Sequence, residues 1–233
     1  MKKRNHAQVV KPLVLVGIVL LLGACKSQMT TKQNAYGAYY DVKPSAVVIM
    51  PPINRTTNVD AKAYLQTVVG RPFADLGYYV VPPMLSFEMM KQESAYDAEL
   101  FINANLTKFQ EIFGADMAVF TIIHTWEKSY LANSIQIDAE FIVKYIPTNE
   151  IIFERRGVMT YDTRSNVQLG GVVGMAVDAV ATATAKYVDP SVFLAYEALK
   201  YMPRGQYSTF HMKDMEDKIW TQDFKFSYQK GRY

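Results

Sequence analysis

Between Ser134 and Tyr145 the chain alternates. Ile135, Ile137, Ala139, Phe141, Val143 and Tyr145 fall on one side, and Gln136, Asp138, Glu140 and Lys144 on the other. Period two is the repeat of a strand with one face in a core and one in water, and no helix satisfies it. Ile142 is the one apolar residue out of step. Pro147 to Glu150 follows at hairpin length, and Ile151 to Tyr161 supplies the partner strand. An antiparallel hairpin this long commits the chain to building a sheet around it and covering its apolar face.

The flanking segments say what kind of sheet. Ser45 to Met50 is a short apolar run between Pro44 and Pro51, the signature of a strand buried on both faces. Pro51 to Thr56 reads as a loop. Thr57-Asn58-Val59-Asp60 has capping-box spacing for a helix start. Tyr64, Leu65, Val68, Val69, Phe73 and Leu76 then recur at helical period, with Gly77 suited to the C′ position and Pro72 expected to kink or restart the helix. Tyr78 to Val81 reads as another short buried-type strand, closed by Pro82 and Pro83. A short helix near Ser86–Gln92 follows, then one marked by Leu106, Phe109, Ile112 and Phe113 and ended by Gly114. Met117 to Ile123 is a strand running on to Trp126, and alternation places Ile122, His124 and Trp126 on one face.

The order β-α-β-α-β, then a hairpin, then helix predicts an α/β (α+β) fold. It is a single domain over residues 45–201 with a mixed β-sheet flanked by helices. Gly170-Gly171-x-x-Gly174 opens a small-residue helix from Met175 to Tyr187, Pro190 limits it, and a further helix spans Ser191 to Tyr201. From Met202 the chain is polar and weakly patterned, so residues 202–233 are expected as an extended or partly disordered C-terminal tail.

Residues 1–24 have the three parts of a signal peptide: Lys2, Lys3 and Arg4, the apolar run Leu13 to Leu22 broken only by Gly17, then Gly23 and Ala24. About ten apolar residues are too few to remain as a spanning helix, which needs roughly 18 or more. Leu22-Gly23-Ala24-Cys25 resembles the lipobox of bacterial lipoproteins. That resemblance implies cleavage between Ala24 and Cys25, a thioether from the Cys25 sulfur to diacylglycerol, and a third acyl chain on the freed amine. Several acyl chains, at about 0.8 kcal/mol per CH₂, hold a protein far more firmly than a single myristoyl group. Lys26 stands where an aspartate would resemble the inner-membrane retention signal, so an outer-membrane, lipid-anchored and periplasm-facing location is expected. Residues 25–44 read as a polar tether, with Tyr36, Tyr39 and Tyr40 available either to the headgroup layer or to loose packing.

Composition narrows the rest. Half of the 233 residues are hydrophobic and 20% are charged, which excludes a disordered chain and leaves room for one real core. The net charge of +3 includes four cations in the first 24 residues, so the mature chain stands at −1 and lacks the electrostatic footprint of a nucleic-acid binder. Cys25 is the only cysteine; its lipidation leaves neither a disulfide nor a catalytic thiol.

Further residues carry a family likeness. Val47-Val-Ile-Met-Pro-Pro-Ile-Asn-Arg-Thr56, Arg71-Pro72 with Gly77-Tyr78-Tyr79-Val80, and Ile112-Phe113-Gly114-Ala115-Asp116 ahead of the Trp126 strand follow the lipobox. Together they resemble a family of bacterial lipoproteins of undetermined function, found beside relatives of the curli-secretion lipoprotein, over roughly residues 45–200. The resemblance implies a fold similar to the N-terminal domain of the translocation protein TolB, with outer-membrane or cell-surface association. It brings no catalytic residues.

No chemistry-bearing constellation stands out. Metal binding needs clustered His, Cys and carboxylates, and the mature chain offers only His124 and His211; no metal and no cofactor is expected. No Gly-x-Ser-x-Gly elbow is present. Glu88, Asp97, Glu99 and Asp116 are candidates for a carboxylate pair, Asp116 being better placed as a turn hydrogen-bonder. Gly170-Gly171-x-x-Gly174 lacks the Lys-Ser/Thr of a phosphate loop and reads as a helix entry, a close contact between copies of the chain, or an ordinary packed helix. Glu154-Arg155-Arg156 reads as a solvated strand edge paired with Asp138 or Glu140, or as a charged docking patch. The expected function is a non-enzymatic accessory subunit of an envelope assembly or secretion apparatus, with envelope proteins as partners. Surface display in adhesion or host contact is the second reading, favoured by the tyrosines of the tether and tail.

Overall fold

The computed structural model describes residues 29–92, 97–165 and 170–229; Ala24 and Cys25 lie outside them. The described chain opens with β1 (Thr30–Thr31), α1 (Lys32–Ala35) and α2 (Gly37–Val42), followed by β2 (Ala46–Ile49) and β3 (Ile53–Asn54). Next come α3 (Ala61–Val68), α4 (Gly70–Asp75), β4 (Tyr79–Val80) and α5 (Pro83–Gln92). A 3-10 turn at Ala98–Leu100 and α6 (Thr107–Phe113) lead into three long strands, β5 (Met117–Ser129), β6 (Ser134–Tyr145) and β7 (Glu150–Asp162). Helices α7 (Gly171–Thr184) and α8 (Val188–Leu199) and strands β8 (Lys218–Ile219) and β9 (Phe224–Gln229) complete it.

The sheet is mixed, as the element order predicts. Seven strands run β4-β2-β5-β6-β7-β9, with β3 also paired to β5. Strand β2 lies parallel to β4 and β5, the three long strands form antiparallel ladders, and β9 lies parallel to β7. Helices flank both faces, and two cores result. Val47 and Ile49 pack in one with Leu65, Phe73, Phe141 and Leu194, while Val48 and Met50 pack in the other with Phe109, Phe120 and Ile142. Ile142 breaks the alternation because the second core needs it. That core also covers much of the face expected to meet water. Lys144 is 6% exposed, its ammonium donating to the Ile102 carbonyl at 2.7 Å, and burial lowers its pKa.

Strand β5 carries a register shift between Ile123 and Thr125. One extra residue, His124, reverses the alternation there. Ile122 consequently packs in the second core and Trp126 in the first, on opposite faces rather than the shared face that alternation predicts.

At α3 the expected capping box changes, while the restart expected at Pro72 occurs. Asp60 occupies the N-cap position without a side-chain bond, so the capping box does not form. Instead Asn54 Oδ1 accepts from Thr56, and Asn58 Oδ1 accepts from the Asp60 amide. The helix breaks after Val68 because Pro72 has no N–H for the carbonyl four residues back and its ring crowds it. Strand β4 is an edge, and Tyr79 is 55% exposed rather than buried.

The largest departure is at the two ends. From Thr30 onward the expected tether belongs to the folded body. Strand β1 pairs with β8, Tyr36, Tyr39 and Tyr40 are buried, and the Tyr36 ring lies 5.1 Å from Phe153. The expected tail is ordered as far as it is described, with β9 added to the sheet beside β7. Local pattern missed both segments because each is held by the other. The Lys32 amide donates to the Asp217 carbonyl and that of Gln33 to Met215, while Gly205 and Tyr207 amides donate to Leu76 and Gly77 carbonyls.

Candidate functional site

The antiparallel register sets Arg156 across from Glu140. On that face Arg156 forms a bidentate pair with Asp138, Nε to Oδ1 at 2.9 Å and Nη2 to Oδ2 at 2.7 Å. The bulge turns His124 toward the same face, where Nε2 lies 3.1 Å from Glu140 Oε2. Glu154 lies near Glu140; its own pKa is raised by burial first and by Glu140 second. Asp223 joins the group by accepting from the Arg156 amide at 3.3 Å. The cluster is a polar patch of carboxylates bridged by one arginine and one imidazole, suited to holding a proton or meeting a cationic surface. Arg155 points to the opposite face. It is 3% exposed, donates to the Glu197 carbonyl at 2.7 Å, and lies over the Tyr201 and Phe224 rings. Strand β9 pairs with β7 only from Gly157 to Asp162, so Glu154–Arg156 lies on the uncovered part of that edge; Arg156 pairs with Asp138 as expected, whereas Arg155 is buried rather than solvated.

Helix α7 is the second candidate surface. Gly170 occupies its N-cap, and among its residues only Gly174 and Thr182 are buried. Val172, Val173, Met175 and Val180 are exposed, so the ordinary packed helix expected from sequence does not hold. Contacts fix it at one end of the sheet. Thr163 Oγ1 and Thr182 Oγ1 lie 2.7 Å apart, and Lys128 donates to the Ala183 and Ala185 carbonyls at its C-terminus. Between β7, α7 and the start of α8 lies a cleft of about 420 Å³ lined by Tyr161, Arg164, Ser165, Lys186 and Asp189. The N-terminal segment meets β7 near Phe153 instead, nine residues before Asp162. At about 3.3 Å per residue, α7 and the N-terminal segment stand roughly 30 Å apart along the strand.

The remaining sequence candidates are dispersed. Asp116 accepts from the Ser45 amide and hydroxyl and the Ala46 amide, at 2.7–3.0 Å, and so pins the entry to β2. Asp97 caps the 3-10 turn through the Glu99 amide, and Glu88 pairs with Lys91 on the surface of α5. These carboxylates do not converge. His211 Nδ1 lies 3.0 Å from the Arg204 carbonyl, far in sequence from the His124 cluster. Among the described residues no group of three His, Cys, Asp or Glu is placed to hold a metal, and no helix is long and apolar enough to cross a membrane. Asp138 and Glu140 were expected as pairing partners of the Glu154–Arg156 stretch, and both stand on the polar side of the alternating strand. The one signal for their partner His124 was its type, because a bulge leaves no mark in alternation.

The family model described as “Putative lipoprotein GNA1162-like” matches residues 34–204. The chain is 28% identical over 121 residues to “Putative lipoprotein NMB1124/NMB1162” of Neisseria meningitidis serogroup B, a match over 52% of this chain and 56% of that protein. The chain thus spans little more than half the length of that relative. Among solved structures it is similar to lipoprotein GNA1162 from Neisseria meningitidis, with 22% identity, 60% of this chain and 97% of that chain covered, and a TM-score of 0.48. It is also similar to PelC from Paraburkholderia phytofirmans, a dodecamer, with 11% identity, 68% and 89% coverage and a TM-score of 0.42.

Proposed function

Since the chain belongs to the GNA1162-like lipoprotein family, we propose that it is an outer-membrane lipoprotein acylated at Cys25, facing the periplasm. On this reading it works without catalysis, as an accessory subunit of an envelope assembly or secretion apparatus. The observation that carries this reading is the spacing of the lipobox from the folded body. Five residue steps separate Cys25 from Thr30, where β1 begins. Their full reach is about 18 Å, so an acylated Cys25 holds the whole domain on the bilayer surface. Confinement to a surface raises the effective concentration for membrane partners without new contacts. Support for a non-catalytic role comes from how these groups are paired: the Ser45 and Ser165 hydroxyls bond Asp116 and Asp178, and neither bonds the His124 ring, whose partner is Glu140. Of the tyrosines that favoured surface display, Tyr36, Tyr39 and Tyr40 are buried, and Tyr207 in the tail is exposed, so the second reading keeps only its tail residue.

Four experiments test the proposal. Cys25→Ala should leave the precursor uncleaved and remove labelling by a palmitate analogue, and Lys26→Asp should shift the protein toward the inner membrane on a density gradient. Affinity capture of the acylated protein from membranes should then yield a stoichiometric envelope protein; recovery of bulk lipid alone would end the accessory-subunit reading. Protection of the folded domain from protease on intact cells is the expected result for a periplasm-facing domain.

A further inference from the structure

We infer that the β1–β8 end of the domain is a membrane-contacting surface, with Trp220 and Met29 seated in the lipid headgroup layer. The inference rests on acylation of Cys25 and adds an orientation to it. Thr30 pairs with Ile219 and Thr31 with Lys218 in antiparallel register. Extending that register by one residue sets Met29 across from Trp220. Both are large, apolar and exposed, at 44% and 40%, while Ile219 between them is buried in the core. They sit at the mouth of the chain that leads to the anchor.

The length of that chain leaves little freedom. Cys25 to Met29 is four residue steps, at most about 14 Å. A thioether glyceride sits near the boundary of the hydrocarbon, and one leaflet's polar layer is roughly 5–8 Å thick. Met29 is therefore held within about 10 Å of the headgroup surface even when the connection is fully extended. An aromatic with an apolar body and a polar N–H is the residue type favoured at that depth. Lys218 beside the pair lies on an apolar stem that extends a cation toward lipid phosphates. Glu216 and Asp217 are its neighbours in sequence, so the local charge is not positive and the apolar pair carries the contact.

The chain has two tryptophans, and Trp126 is 3% exposed within the first core, so Trp220 is readable by fluorescence. The full acylated protein is reconstituted into vesicles of phosphatidylethanolamine and phosphatidylglycerol, with and without brominated acyl chains. The expected result is flotation with the vesicles and loss of most of the Trp220 emission in the brominated ones. That quenching should be absent from Trp220→Phe, which leaves only Trp126, and should be unchanged by added salt. Flotation without quenching, with Trp220 still open to iodide, would overturn the inference while the anchor stands. Failure to float would overturn the anchor and the orientation together.

Discussion

Lys32, near the start of the described chain, donates its ammonium to Asp214, near the end, at 2.8 Å, and each side chain is 5% exposed. Tyr40 and the Arg204 amide also donate to the Asp214 carboxylate, at 3.2 and 3.0 Å. One buried carboxylate thus ties the N-terminal segment to the C-terminal one. Asp214→Ala strands a buried cation and two other donors, and it should cost about 3–5 kcal/mol in denaturant unfolding. Replacing both partners, Lys32→Met with Asp214→Leu, should recover much of that loss, because no unpaired charge remains.

Gly157 lies opposite Phe224 in the β7–β9 ladder, and a Cβ placed there would stand 1.9 Å from the Phe224 ring. Gly157→Ala should therefore displace β9 at a cost of about 1–3 kcal/mol. Hydrogen exchange should show the β9 amides opening while those of the β5–β6 ladder stay protected.

The buried tyrosines predict a specific alkaline transition. Burial pushes Tyr36 up to about 12, partly opposed by Arg155, and raises Tyr39, Tyr40 and Tyr78 further. A phenol with a raised folded pKa contributes stability that is intact below the unfolded value and lost as pH climbs past it. Stability should be level up to about pH 10 and fall above it. Part of the tyrosinate absorbance should appear only together with the loss of circular dichroism.

Glu154 follows the same rule at lower pH, as an acid on the sheet face. Its pKa is raised by burial and then by Glu140, so the folded state binds its proton more tightly and the ionised form weighs against the fold. Glu154→Gln should stabilise at neutral pH, by less than about 1 kcal/mol because the group is exposed. The gain should vanish as pH falls through the ordinary glutamate range near 4.3, read as converging denaturation midpoints.

The long strands were legible because period two survives in β6 and is interrupted in β5 only at the His124 bulge. Gly77 and Gly114 were legible as helix ends because each takes a positive φ, +91° and +62°, that other residues resist. The polar patch was half legible. Arg156 pairs with Asp138, the diagonal neighbour of its register partner Glu140, whereas Arg155 turns inward to cap α8, a partner more than 40 residues away that no local pattern encodes.

Sequence alone determined the hairpin and the β-α-β-α-β order, because each is written in neighbouring residues: a two-residue period, a helical period. Only the tertiary structure decided that residues 30–43 and 202–229 belong to the body. Their stability comes from one buried ion pair, shared backbone bonds and tyrosines packed across a separation of some 170 residues. Contacts of that range leave no periodicity in either segment, so each looks like loose polar chain until the other is beside it.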